Sequence, residues 1–315
     1  MLLGVGGATL RVAATRPIRI RSSLAMSALL PGHAISEALK MSTATTAPLI
    51  AIGSGMGALA LQFLLQRIFA RSSDPALSRN PGFVAHNVIA FGFMLICTFV
   101  GGLVWLTPSC WPHTAAARLL EPSSSAVFIA AMIFGELLFW DVPCGFLIPK
   151  LRRPDMILHH IGFLVPTFTA MLHAPIYYSN FYFGLSEAST IPLTLNEIFA
   201  HAHDAVKAAE PMPTSPTADG ARLARLARWR DAFQVVAALF FVALRGVGFT
   251  FVTFARLLPD TLQVLRTLPA AATAMALPLK LHVGFAVGFN ALQLYWLSEL
   301  IKFMVTNGPG GQRPD

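Results

Sequence analysis

The sequence predicts an all-α fold: a multi-pass transmembrane helix bundle of about seven spans. Three observations carry this expectation. Only 12% of the 315 residues are charged and 55% are hydrophobic, about half the charge of an ordinary soluble domain. Mean hydropathy is +0.62, more apolar material than a soluble core absorbs. Stretches approaching the ~20 apolar residues that a helix needs to cross a bilayer recur along the chain.

The net charge of +8 would suit nucleic acid. The basic residues, however, sit in short clusters beside apolar stretches, the placement of topology signals and of contacts with anionic lipid. Nucleic acid is therefore not an expected partner. Cys97, Cys110 and Cys144 form neither a disulfide framework nor a metal-ligand spacing.

Residues 1–47 form a basic segment, with Arg11, Arg16, Arg19, Arg21 and Lys40 and no acid before Glu37. It reads as a transit peptide or a disordered tail. The transmembrane domain is placed at 48–305, followed by a short polar tail at 306–315. Its first span, 49–65, carries Gly53-Ser54-Gly55-Met56-Gly57, a small-residue face suited to close helix packing. The second, 88–106, has no charge. The third, 126–149, holds Glu136, Trp140 and Asp141. The fourth, 156–174, holds His159, His160 and His173, with a kink expected at Pro166.

The fifth span, 175–199, is interrupted by Asn180, Glu187, Pro192 and Asn196. Broken helices are tolerated only where protein or a water-filled cavity satisfies the freed backbone. A Pro-rich linker at 211–216 leads to Arg222, Arg225, Arg228 and Arg230 around Trp229, a basic amphipathic turn for a headgroup surface. The sixth span, 232–254, contains Arg245. Residues 257–280, with Asp260, Arg266, Pro269 and Pro278, read as loop and short interfacial helix, and the last span is 281–304.

Alternation of these spans puts Arg67, Arg71, Arg79, Lys150, Arg152, Arg153, the basic residues of 207–230, Lys302 and Arg313 on one side. Only Arg118, Arg256, Arg266 and Lys280 fall on the other, a bias that places the C-terminus on the cytosol-like side. The basic residues of the N-terminal segment run against the pattern.

Ionisable groups at membrane depth are costly and usually line a cavity or a reaction site. Asp155 and His159 share a helical face, since four residues advance about 40° beyond a full turn, whereas His160 points about 100° away. A carboxylate there can orient the His159 ring as a general base or acyl acceptor. The alternative is a helix cap at Asp155 and interhelical hydrogen bonds from the rings. Glu136 and Asp141 lie about 140° apart on an α-helical wheel, so at least one is expected to pair with another helix. Arg245 is a natural partner for one of these acids.

Trp140-Asp141, then Asp155-Met156-Ile157-Leu158-His159-His160, then Leu185-Ser186-Glu187-Ala188-Ser189-Thr190-Ile191-Pro192-Leu193 resemble the TLC domain. Asn290 and Trp296 in the last span extend the likeness over roughly 48–305. The chain is more similar to the TLC-domain-containing branch than to the ceramide synthases proper. Those enzymes, as the resemblance implies, join a fatty acyl group from acyl-CoA to a sphingoid amine using two histidines and a later His-Asp-x-x-Asp motif. Here Ser186 stands at that motif's His, Glu187 at its first Asp and Thr190 at its second. Moving a catalytic carboxylate by about 1 Å can cost roughly 10²-fold in rate, so ceramide synthesis does not follow from the likeness.

The expected function is therefore lipid binding in an intramembrane polar chamber, in the service of lipid homeostasis, with membrane lipids as partners. The alternative is a sphingolipid-type N-acyltransferase taking acyl-CoA as co-substrate. His159, His160, Asp141, Asp155 and Glu187 would be its catalytic residues, and Ser186, Thr190, Arg245 and Asn290 would contact lipid, with Arg245 on a phosphate. No metal or other cofactor is expected. The resemblance points to the endoplasmic reticulum, and the Arg-rich start to an organellar membrane.

Overall fold

The computed structural model describes residues 43–172, 176–209, 218–268 and 274–307. The basic segment before 43, His173, the Pro-rich linker at 211–216 and the polar tail from 308 lie outside them. The described residues form seven long helical runs and no strand. These are α1 (Thr43–Ala70), α2 (Pro81–Leu106), α3 (124–147), α4 (Pro154–Leu172), α5 (180–209), α6 (218–267) and α7 (Ala276–Asn307). Four stretches are long and apolar enough to cross a membrane: Thr46–Ala70, Pro81–Leu106, Ala115–Leu147 and Gly220–Thr267.

Neighbouring runs trace a closed circuit, α1–α2–α5–α6–α7–α4–α3 and back to α1. Small residues set its tightest contacts. A side chain on Gly135 of α3 would strike the backbone of Ala51, and one on Gly55 would strike Gly135. Gly53 and Gly57 have open space around them. Of the three glycines in the small-residue run, only Gly55 is at the seam. Gly101 of α2 meets Gly184 of α5 in the same manner, 2.6 Å from a Cβ placed there to the facing Cα.

Each end of the bundle has its own clamp. At one end Asp74, before α2, receives two hydrogen bonds from Arg222 of α6 at 2.6 and 2.8 Å. Lys150, between α3 and α4, sits 2.9 Å from His201 of α5. There Phe199, Trp229 and Phe233 stack α5 on α6. At the opposite end Asp260 accepts from Arg118 at 2.5 and 2.8 Å and from Tyr178 at 2.5 Å. The alternation inferred from charge matches these two groupings.

The fifth run is irregular as expected. It starts with a π-helical turn, Asn180–Gly184, passes through a 3-10 turn, Leu185–Ser189, and becomes α-helical at Thr190–Ala209. The helix of α4 continues through Pro166. One expectation fails among the described residues of 257–280: the helix there is not separate from the sixth span. The sixth run continues through Leu258–Thr267, and α7 begins at Ala276. Pro259 follows the π-helical turn Thr253–Leu257, at the start of the renewed α-segment. A proline inside a helix has no N–H to give to the turn before it, and here that turn is the π-helical one, where the regular bonding is already altered. Asp260 stays buried because Arg118 and Tyr178 satisfy it.

Candidate functional site

Asp141 ends a π-helical turn, Leu137–Asp141, inserted in α3. A π turn bonds residues five apart, where an α turn bonds residues four apart. Glu136 and Asp141 are five apart, so this turn narrows the angle an α-helical wheel puts between them, and the two interact electrostatically. Pro143 follows at the start of the resumed α-helix.

The Asp141 carboxylate bridges two imidazoles. His86 Nε2 of α2 lies 2.7 Å from Oδ1, and His160 Nδ1 of α4 pairs with Oδ2. A carboxylate can only accept, so each facing nitrogen carries the proton. The His86 ring stacks on Trp140 with centroids 4.6 Å apart. Trp140 donates to Gln62 Oε1 of α1 at 3.3 Å, and Gln62 donates to the Gly82 carbonyl at 2.9 Å. Asp141 is thus held by a chain of contacts running through three helices.

His159 faces elsewhere, as its ~100° offset from His160 requires. Its ring lies among Phe163 at 4.6 Å, Trp296 at 5.1 Å and Phe289 at 5.5 Å. Asp155 does not orient it. Asp155 is half-exposed in the first turn of α4 and pairs with Arg153 at 2.9 Å, where the helix N-terminus also favours a negative charge. The carboxylate beside the histidine pair is Asp141, and the ring it engages is His160.

A second group joins α5 to α6. Arg245 sits in the π-helical turn Phe241–Gly248 of α6. It donates to Glu187 Oε2 at 2.9 Å, to Ser189 Oγ at 2.8 Å and to Thr190 Oγ1 at 2.9 Å. Thr190 also donates to Glu187, at 2.7 Å. Through Nε and Nη2, Arg245 is thus bonded to three protein partners, the acid expected for it being Glu187. Arg245 and Glu187 both interact electrostatically with His160, and Arg245 with His159, so the two groups form one cluster.

Of the residues named from sequence, the structure unites Asp141, His160, Glu187, Thr190 and Arg245, with His159 alongside. Ser186 is set aside, donating to the Tyr182 carbonyl of its own helix at 2.7 Å. Asn290 accepts from Thr250 at 2.9 Å and ties α7 to α6. Sequence reasoning missed His86, whose only signal is a polar ring in the first turns of an apolar helix. It also passed over Gln62 and left Ser189 unassigned.

Next to the Phe163–Phe289 contact is a cavity of about 20 Å³, lined largely by aromatic rings with His282 among them. A family model described as the TLC domain matches residues 82–302, which include both groups of the cluster. Neither the curated proteins nor the solved structures include a match to this chain.

Proposed function

The chain belongs to the TLC domain family, and on that premise we propose that it binds membrane lipid at the buried cluster and serves lipid homeostasis. One observation carries the reading. His86, Asp141, His160, Glu187 and Arg245 come from α2, α3, α4, α5 and α6 and converge inside the bundle. Five helices bringing ionisable groups to one interior place, at the expense of desolvating them, is the mark of a functional site more than of packing. The endoplasmic reticulum is the membrane we propose, on the family likeness alone.

The experiment is lipid mass spectrometry on the purified full chain, wild type beside His160→Ala and Asp141→Asn. A distinct lipid class retained by the wild type and depleted in both variants is the expected result. Identical lipid profiles in all three proteins would overturn the reading.

A second reading, N-acyl transfer from acyl-CoA to a lipid amine, draws on the Asp141–His160 contact. With Nδ1–H given to the carboxylate, Nε2 of a neutral His160 keeps its lone pair to act as base or acyl acceptor. His159, lacking a carboxylate partner, would shape the apolar wall. Acyl transfer from acyl-CoA across a panel of lipid amines, abolished in His160→Ala, is its expected signature. Absence of any transfer by the wild type would rule against it.

A further inference from the structure

We propose that Gln293 is the residue that recognises the lipid headgroup, and that this headgroup is an uncharged hydroxyl or amide, not a phosphate. The inference rests on the lipid-binding reading above and sharpens it to a substrate class.

Gln293 is fully buried, and neither its Nε2 nor its Oε1 has a hydrogen-bond partner among the described residues. Buried amides left in that condition are rare, and each calls for an explanation. Its position supplies one. Phe289 and Trp296, which flank it on α7, both contact the His159 ring. Residues three and four apart share a helical face, so Gln293 stands on the face that meets His159. On its other flank, Asn290 bonds Thr250, and Leu297 lies against Gly246, next to Arg245. The amide is therefore set between the His159 cage and the Arg245 turn. Other buried atoms of this region also lack partners among the described residues, His86 Nδ1, His159 Nδ1, Glu136 Oε2 and His282 Nδ1.

A primary amide both donates and accepts, so its complement must do the same. A hydroxyl or an amide does so, whereas a phosphate diester, or a monoester in its dianionic form, only accepts. Charge points the same way. Asp141 and Glu187 already bring carboxylates to the cluster, and the Nε and Nη2 groups of Arg245 are engaged by Glu187, Ser189 and Thr190. An anion would meet two carboxylates, with only the Nη1 side of the guanidinium left to attract it. Towards the N-terminus of α7, beyond Phe289, lies the small aromatic-lined cavity bordered by His282.

The test uses the full chain in detergent with two probes of equal chain length, dioctanoylglycerol and dioctanoyl phosphatidic acid. Binding is read by native mass spectrometry and by the shift in melting temperature. The wild type is expected to bind dioctanoylglycerol at least tenfold more tightly than the phosphatidic acid. Gln293→Leu should weaken dioctanoylglycerol at least tenfold, with the ligand-free melting temperature unchanged or raised. Should Gln293→Leu fail to fold, Gln293→Met, unbranched and similar in length, carries the same expectation. Phosphatidic acid binding the wild type as tightly or tighter would overturn the inference while leaving lipid binding intact. So would full dioctanoylglycerol affinity in the folded variant. Failure of both probes to bind the wild type would overturn the inference and count against the lipid-binding reading as well.

Discussion

His86 Nε2 lies 2.7 Å from the Asp141 carboxylate, although 55 residues separate the two in the chain. Removing one partner of a buried hydrogen bond leaves the other unsatisfied, at a cost of about 1–3 kcal/mol. Asp141→Ala, which strands two imidazoles, should lower stability by about that amount in detergent unfolding. Asp141→Leu combined with His86→Phe should cost less than the sum of the single changes. Additive effects would show that the contact is not coupled.

The α1–α3 seam gives a contrast between a glycine at the contact and one beside it. A methyl at Gly135 meets the Ala51 backbone, so Gly135→Ala should cost about 1–3 kcal/mol as overpacking. Gly53→Ala enters open space and should be neutral or slightly stabilising, since alanine is the better helix former. Thermal unfolding of the two variants side by side decides it.

His201, past the expected fifth span, gives a pH dependence. Burial, and then the neighbouring Lys150 charge, push its imidazole down to about 4. The unfolded chain thus binds this proton more readily than the folded one. The contribution is fully present above about pH 6.5 and is lost as pH falls towards about 4. His201→Phe, which keeps a ring against Phe83, should flatten the wild-type loss of melting temperature over that window. An unchanged slope would show that His201 does not supply it.

Arg245 and Glu187 should behave as a unit. Arg245→Met leaves the Glu187 carboxylate buried without its cation and should cost about 3–5 kcal/mol. Adding Glu187→Gln to that variant should restore part of the loss, because a neutral amide is cheaper to bury than a charge. A double variant less stable than Arg245→Met alone would contradict this coupling.

Much of this architecture can be read from the chain because its cause is local. Apolar length places the helices, and clustered basic residues sort their ends. The interruptions of 180–189 announce an irregular helix through Asn180 and Glu187. What escapes the sequence is non-local. His86 has no neighbour that marks it, and its partner arrives from another helix. Asp155 misleads because the i, i+4 spacing to His159 is visible, while the competing contact with Arg153 at the helix end is equally local and wins. The π turns carry no residue signature. The approach of Asp141 to Glu136, and the passage of α6 through Pro259, therefore become legible only in three dimensions.

The order of the circuit sets a schedule for synthesis. The Asp141–His160 contact joins α3 to α4, consecutive in the chain, and can form as soon as both have left the ribosome. The wall around His159 cannot, because Phe289 and Trp296 belong to the final helix. Until the C-terminus is released, the nascent protein presents an open flank where that ring will sit. A premature stop before α7 would yield a protein that still joins Asp141 to His160 yet keeps only Phe163 of the three rings around His159.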